Sequence, residues 1–136
     1  MSVIIGKEEY FKEIKEIKFE GVDSDNPLAY RFYDKDKMVL GKPMKDHFKF
    51  AIAYWHSFVN TGNDPFGSGT KQFQWSKSTD VFERAHNKMD AAFEFISKLG
   101  LEYFCFHDFD LIDEGKSLIE SEERLVKIVE YGKKKN

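Results

Sequence analysis

The sequence predicts an α/β fold in which parallel strands alternate with helices. Residues 48–55 and 102–106 are apolar runs bounded by polar residues, a pattern typical of strands buried on both faces. Between them, residues 80–99 carry apolar side chains at helical spacing, which indicates an amphipathic helix. A strand, a helix and a second strand in this order favour parallel pairing through a right-handed crossover.

Length and composition narrow the possible functions. A chain of 136 residues suffices for one domain, and its net charge of -3 gives no basic surface for nucleic acid. No apolar stretch approaches the ~20 residues of a membrane span. The single cysteine, Cys105, lies inside the second apolar run, where we expect a buried structural thiol. The absence of a disulfide framework and of a signal-peptide pattern favours a cytoplasmic protein.

Residues 1–47 are predicted to form an N-terminal helix and an extended arm ahead of the main fold. Over residues 7–17, four apolar side chains share one side at helical spacing: Tyr10, Phe11, Ile14 and Ile17. Residues 23–42 are interrupted by proline, glycine and aspartate, which indicates an arm that lies against another part of the protein. Pro43 favours a short helical turn.

Residues 48–136 are predicted to hold the first two strand–helix units. Asp80 and Glu83 resemble a capping box at the start of the central helix, and Gly100 is placed to end it. His86 is expected on the solvated side of that helix. A second capping-box pattern begins at Ser117, after a predicted loop over residues 108–116. No third strand follows the last helix, so the chain looks truncated.

Polar residues follow the second predicted strand directly. His107, Asp108 and Asp110 stand where that strand should end, and chemistry in α/β sheets lies at the carboxyl ends of strands. An imidazole beside carboxylates can move protons on a polar substrate. The alternative is that these side chains only satisfy backbone groups of the loop, and the motif alone does not decide between the two.

A glycine-rich loop follows the first predicted strand. Residues 60–70 contain three glycines and a proline but lack the spacing of a phosphate-binding loop. Phe66 is the one apolar ring at the tip. Such a ring either packs back onto its own domain, which is the commoner case, or docks on a partner.

Several stretches together resemble xylose isomerase, in particular its longer-chain class. They are residues 50–58 (Phe-Ala-Ile-Ala-Tyr-Trp-His-Ser-Phe), residues 61–67 (Thr-Gly-Asn-Asp-Pro-Phe-Gly) and residues 103–110 (Tyr-Phe-Cys-Phe-His-Asp-Phe-Asp). The arm at residues 26–34 is also similar to the N-terminal region of that family. The resemblance covers nearly the whole chain, in order.

The resemblance implies that the chain is the N-terminal part of a TIM (β/α)₈ barrel enzyme. Such enzymes interconvert D-xylose and D-xylulose, and often D-glucose and D-fructose. They are usually homotetramers and use two divalent metal ions, for which Mg²⁺, Mn²⁺ or Co²⁺ are the expected identities.

The resemblance also implies roles for four residues. His107 matches the histidine that binds the sugar ring oxygen and assists ring opening, and Asp110 matches the carboxylate that orients it. Trp55 matches an apolar wall of the sugar pocket, and Phe66 resembles a phenylalanine that reaches into a neighbouring subunit's site. One departure is Phe109, which stands where this class often has arginine.

The metal ligands of that family come from later strands, and nothing in residues 1–136 matches them. Because the 1,2-hydride shift needs metal-polarised oxygens, we expect this chain to be inactive alone. Two other interpretations of the function remain open. One is a metal-dependent phosphoesterase of similar barrel shape with His107, Asp108 and Asp110 as metal ligands. The other is a non-catalytic fragment or association module.

Overall fold

The computed structural model describes residues 5–135. Its regular elements are β1 (Met38–Val39), β2 (Lys42–Pro43), α1 (Met44–His47), β3 (Ala51–Ala53), a π-helix (Trp55–Val59), a 3₁₀ helix (Gln74–Ser76), α2 (Val81–Leu99), β4 (Tyr103–Cys105), α3 (Asp108–Leu111) and α4 (Leu118–Lys133).

Strands β3 and β4 pair in parallel, and α2 forms the connection between them. The register joins Ala51 to Tyr103 and Ala53 to Cys105. The predicted α/β class and the parallel pairing are therefore confirmed. Within residues 5–135 this pair does not extend into a closed sheet, because the only other sheet is the antiparallel pair of β1 and β2.

Helix α2 is the element around which the core forms. The carboxylate of Asp80 accepts the backbone N–H of Glu83 at 2.7 Å, and Gly100 ends the helix with a φ of 67°. The predicted N-cap at Asp80 and the end at Gly100 are thus confirmed, but the return bond of a capping box is absent because the Asp80 N–H donates to Ser78. Glycine suits the left-handed position because it lacks a Cβ. The core on and around α2 is strongly aromatic, and its buried members include Tyr54, Phe58, Phe73, Trp75, Met89, Ala92, Phe93 and Ile96.

Helix α4 packs against α2 and has Ser117 as its N-cap, although Glu120 accepts the Lys116 N–H rather than the Ser117 N–H that the predicted capping box requires. The Ser117 hydroxyl accepts the backbone N–H of Glu120 at 3.2 Å. Ile128 is fully buried, and Gly132 lies so close to Met89 that an added Cβ would stand 2.9 Å from its sulfur. The preceding segment was predicted as loop, but residues 108–111 form the short helix α3.

The predicted N-terminal helix over residues 7–17 is wrong. This segment has no regular helix and instead lies along α2. The backbone N–H groups of Tyr10 and Phe11 donate to the Glu94 carboxylate at 2.8 and 2.9 Å, and that of Ile17 donates to the Lys98 carbonyl at 2.7 Å. These long-range bonds replace the internal bonds of a helix, so tertiary contacts override the local pattern.

Four polar side chains of α2 form a row that holds this segment and α4. We call them the polar row: His86, Asp90, Glu94 and Lys98, spaced by one helical turn. Lys98 donates to Glu94, to Glu9 and to the Phe11 carbonyl at 2.7–2.8 Å. Burial opposes its charge, but the bonds to Glu9 and Glu94 outweigh that effect and raise the pKa of Lys98.

The N-terminal half of the polar row faces α4. Asp90 accepts the Tyr131 hydroxyl at 2.9 Å, and the imidazole of His86 stacks on the Tyr131 ring with centroids 4.0 Å apart. The expectation of a solvated His86 is therefore wrong. The side chain is half-buried, and burial lowers its pKa despite the nearby Asp90 carboxylate.

The extended arm lies against the C-terminal end of α2. The Tyr30 hydroxyl donates to the Leu99 carbonyl at 2.8 Å, and Tyr30 also exchanges backbone bonds with residues 18 and 20. The hairpin of β1 and β2 turns at Leu40 and Gly41, which both have positive φ. Pro43 precedes α1 as its N-cap residue rather than opening it.

Both predicted strands are shorter than their apolar runs, and they are covered on one face only. Phe104 packs on Phe93 of α2 with ring centroids 5.5 Å apart, whereas Tyr103 and Cys105 on the other face are exposed. The expectation of a buried thiol at Cys105 is therefore wrong. The reason is that α2 covers one side of the pair, and no other element within residues 5–135 covers the second.

Across residues 5–135, no helix combines the length and the apolar character needed to cross a membrane.

Candidate functional site

His107 and Asp110 form a hydrogen-bonded pair at the carboxyl end of β4. Helix α3 begins directly after His107, and its single turn brings Asp110 back to the histidine. One carboxylate oxygen, Oδ2, accepts the His107 backbone N–H at 2.8 Å and lies 3.0 Å from Nδ1 of the ring. The carboxylate is fully buried, whereas the His107 side chain is 68% exposed.

This geometry leaves one ring nitrogen for chemistry. A carboxylate accepts hydrogen bonds, so its contact with Nδ1 favours the tautomer in which Nδ1 carries the proton. Nε2 is then the nitrogen that can accept a proton or return it. The pair is an imidazole held in a fixed orientation by a buried carboxylate and open to a ligand.

Phe109 lies flat against the imidazole of His107. The two ring centroids are 5.5 Å apart and the planes differ by only 6°. This ring therefore places apolar surface beside one face of the His107 imidazole. Asp108 instead uses its Oδ1 to accept the backbone N–H of Phe109 at 2.8 Å, so it supports the first turn of α3.

Trp55 stands at the same edge of the strand pair as His107. Each follows its own strand by two residues, Trp55 after Ala53 and His107 after Cys105, and those two strand ends are paired in register. Trp55 is half-buried and begins the π-helix. Parallel strands bring their carboxyl ends to one edge, so both side chains belong to the same edge of the fold.

Phe66 is presented outward by a tight turn. Asp64 and Gly67 exchange backbone hydrogen bonds at 3.2 and 3.3 Å, and Asp64 Oδ1 accepts the backbone N–H of Phe66 at 2.8 Å. The Phe66 ring is 95% exposed. It neither packs back onto its own domain nor joins His107 and Asp110.

The residues that the structure describes contain no group of three or more His, Cys, Asp or Glu side chains able to hold a metal ion. His107, Asp108 and Asp110 in particular are not gathered around a common point. The alternative of a phosphoesterase with these three ligands therefore gains no support.

Tyr54 is a buried residue at the same edge of the strand pair, and the sequence did not single it out. It follows β3 directly, is fully buried, and packs its ring on Phe58 and Phe104. Burial, and to a smaller extent the charge of Asp110, raise the pKa of Tyr54, so its hydroxyl stays protonated. In the sequence, nothing distinguishes Tyr54 from the other aromatic residues of the apolar run at residues 48–55.

No family model matches the chain. Three curated relatives share the name xylose isomerase. They come from Bacteroides thetaiotaomicron (53% identical), Phocaeicola vulgatus (52%) and Thermotoga maritima (51%), each over 127 residues. In each case the match takes in 93% of this chain and 29% of the relative. The chain is therefore a homologue of the xylose isomerases, and it spans about 29% of the length of those relatives.

Proposed function

We propose that this chain forms the N-terminal part of an aldose–ketose isomerase that interconverts D-xylose and D-xylulose, and that His107 opens the sugar ring. The observation that carries the proposal is the contact of His107 Nδ1 with Asp110 Oδ2 at 3.0 Å. The relatives named xylose isomerase, 50–53% identical over 93% of the chain, supply the reaction class.

Ring opening requires a proton to move between the ring oxygen and the anomeric hydroxyl of the sugar. An imidazole can both donate and accept that proton at neutral pH. Asp110 would keep the ring oriented and Nδ1 protonated, so that Nε2 faces the sugar. Because the His107 side chain is largely exposed while Asp110 is fully buried, the pair combines access with a fixed geometry.

Two aromatic residues would complete the sugar pocket. Trp55, at the same edge as His107, would form an apolar wall that excludes water. Phe66 would reach into the site of a neighbouring subunit of a homotetramer. The outward turn at Asp64–Gly67 and the 95% exposure of the Phe66 ring support a role outside its own subunit.

Metal ions are implied by this family, but the residues present do not fit a complete ligand set. Within residues 5–135 no cluster could hold a divalent cation, so we derive no step through a metal. We propose that the two ions, Mg²⁺, Mn²⁺ or Co²⁺, are bound by residues other than those described, within a closed TIM barrel of which this α/β unit is one part. Residues 1–136 alone would then be inactive.

The test uses the full-length gene product, purified from a host that lacks its own isomerase. Mn²⁺ is titrated with and without D-xylose, and D-xylulose is measured. We expect metal-dependent ketose formation by the full-length protein and none above a metal-only blank by residues 1–136. A full-length protein that binds the metal but forms no ketose from xylose or glucose would contradict the proposed function.

A further inference from the structure

Two buried polar atoms have no hydrogen-bond partner within residues 5–135, and each belongs to a residue that follows one strand of the parallel pair. They are the Tyr54 hydroxyl oxygen and Oδ1 of Asp110. Both side chains are fully buried. Buried polar groups in folded proteins are almost always hydrogen-bonded, and each exception needs an explanation.

The two atoms share one region of the fold. Tyr54 directly follows β3, and Asp110 lies in the turn that directly follows β4, its parallel partner. The charge of Asp110 acts on Tyr54 strongly enough to raise the tyrosine pKa, in addition to the larger effect of burial. The two groups are also chemically complementary, since a protonated phenol donates a hydrogen bond and a carboxylate accepts one.

We propose that Tyr54 is a positioning residue for His107. The Tyr54 hydroxyl donates to one buried water molecule, and that water donates to Oδ1 of Asp110. Structural waters of this kind typically bond to buried polar groups that would otherwise lack partners. The water would accept from the Tyr54 hydroxyl and donate to Oδ1. Two other charged groups act in this region: the Asp90 carboxylate also raises the pKa of Tyr54, and burial lowers the pKa of Lys88 although Asp113 and Asp110 favour its ammonium form.

The consequence for His107 follows from the asymmetry of the Asp110 carboxylate. Oδ2 already serves the histidine through its backbone N–H and through Nδ1. If nothing held Oδ1, the carboxylate could rotate about its side-chain bond and carry Oδ2 away from the ring. A bond from Tyr54 through water to Oδ1 would hold both oxygens, and therefore the orientation and tautomer of the imidazole.

The competing explanation is that Tyr54 serves only as an aromatic core residue. Its ring packs on Phe58 and Phe104, with centroids 5.2 and 6.3 Å away. In that case the hydroxyl is a buried group without a partner, and its removal should stabilise the protein or leave stability unchanged. If the hydroxyl is bonded, its removal should destabilise the protein and disturb His107. The sign of the stability change separates the two explanations.

The experiment compares Tyr54→Phe with wild type in the full-length protein, by thermal unfolding and by ¹⁵N NMR of the neutral His107 imidazole. Tyr131→Phe is the matched control, because it also removes a tyrosine hydroxyl that donates to a buried carboxylate, that of Asp90. We expect both variants to unfold at a lower temperature. Only Tyr54→Phe should lower the population of the Nδ1-protonated tautomer of His107.

Tyr54→Phe overturns the proposal if it unfolds at or above the wild-type temperature, or if it loses stability without any change in the His107 tautomer. A crystal structure of the full-length protein adds a direct readout. A water hydrogen-bonded to both the Tyr54 hydroxyl and Asp110 Oδ1 supports the proposal. The absence of any water between these two groups overturns it.

The catalytic consequence rests on the proposed function: sugar turnover by Tyr54→Phe should fall about 10-fold. The stability and NMR measurements need no turnover. A protein that is inactive on sugars would therefore disprove the proposed function and still allow the role of Tyr54 to be judged.

Discussion

A single oxygen of Asp110 serves both the backbone and the side chain of His107. Oδ2 accepts the backbone N–H at 2.8 Å and lies 3.0 Å from Nδ1. The same carboxylate therefore helps to form the turn after β4 and orients the imidazole. The local fold and the geometry of the site therefore both depend on Asp110. A substitution at Asp110 tests the orientation of the imidazole only if it leaves the turn after β4 intact.

Asp110→Asn is a substitution of this kind. The Asn carbonyl oxygen can still accept the His107 backbone N–H, so the turn should form, but the charge that favours the Nδ1-protonated imidazole is lost. We expect isomerisation by the full-length protein to slow by about 10²–10⁴-fold, the usual contribution of general acid–base catalysis.

Asp108→Asn is the matched control for this change. Asp108 is exposed, and its side chain only accepts the Phe109 backbone N–H, which Asn can also do. Its turnover should stay close to wild type. Equal rate losses in the two variants would show that the charge of Asp110 has no special role.

Phe66→Ser tests the proposed contact between subunits. We expect a higher Michaelis constant for the sugar and a weaker oligomer, because an aromatic ring that docks on a neighbour is lost. Steady-state kinetics and sedimentation measure the two effects. Phe32→Ser is the control, since Phe32 is also an exposed phenylalanine, with 80% exposure. Unchanged kinetics and unchanged assembly in Phe66→Ser would rule out the contact.

Glu94→Gln tests the polar row of α2. Glu94 is fully buried and accepts two backbone N–H groups and the Lys98 ammonium. A glutamine cannot satisfy all three donors, and it leaves the Lys98 charge with one fewer anionic partner. Removing one member of a buried ion pair typically destabilises a protein by about 3–5 kcal/mol, and we expect a loss in free energy of unfolding of that size.

Glu123→Gln is the control for Glu94→Gln, because Glu123 is exposed on α4 and should change stability little. Chemical denaturation of the full-length protein measures both variants. A loss below about 1 kcal/mol in Glu94→Gln would show that residues 7–17 are held by apolar packing rather than by the polar row.

His86 makes stability depend on pH. Its pKa in the folded protein is lowered from the ordinary value of 6.5, chiefly by burial, so the unfolded chain binds a proton more readily than the folded one. The stability from neutral His86 is therefore present above pH 6.5 and decreases as the pH falls below it. The charged groups around the ring act in both directions: Asp90 and Asp80 raise its pKa, and Lys135 and Lys7 lower it.

His86→Phe retains a ring that can stack on Tyr131 but removes the titration. Between pH 7.5 and about 5.5, the variant should lose less free energy of unfolding than wild type. Parallel curves for the two proteins over that range would contradict the assigned direction of the His86 shift.

Local signals were sufficient to predict α2 and α4. Asp80, Gly100 and Ser117 lie next to the elements that they cap, and the apolar spacing of each helix is read within a few turns. The segment over residues 7–17 has the same spacing, yet its backbone donors are satisfied by Glu94, which is 84 residues away from Tyr10. The apolar spacing of residues 7–17 does not reveal that a distant carboxylate competes with a helix for these backbone donors.

The site was predictable in part for the same reason. The i,i+3 spacing of His107 and Asp110 is local, and the structure shows that pair bonded. The one-sided cover of β4, and with it the exposure of Cys105, depends on which elements surround the strand. Tyr54 could not be singled out, because its place at the same edge as Asp110 follows from the pairing of β3 with β4.

The most direct measurement of the central claim is the turnover of His107→Asn in the full-length protein on D-xylose. Because the claim assigns ring opening to His107, conversion of the ring-closed sugar should fall by about 10²–10⁴-fold, while the affinity for Mn²⁺ stays at the wild-type value. Equal turnover by His107→Asn and wild type, under conditions that exclude a contaminating isomerase, would contradict the account.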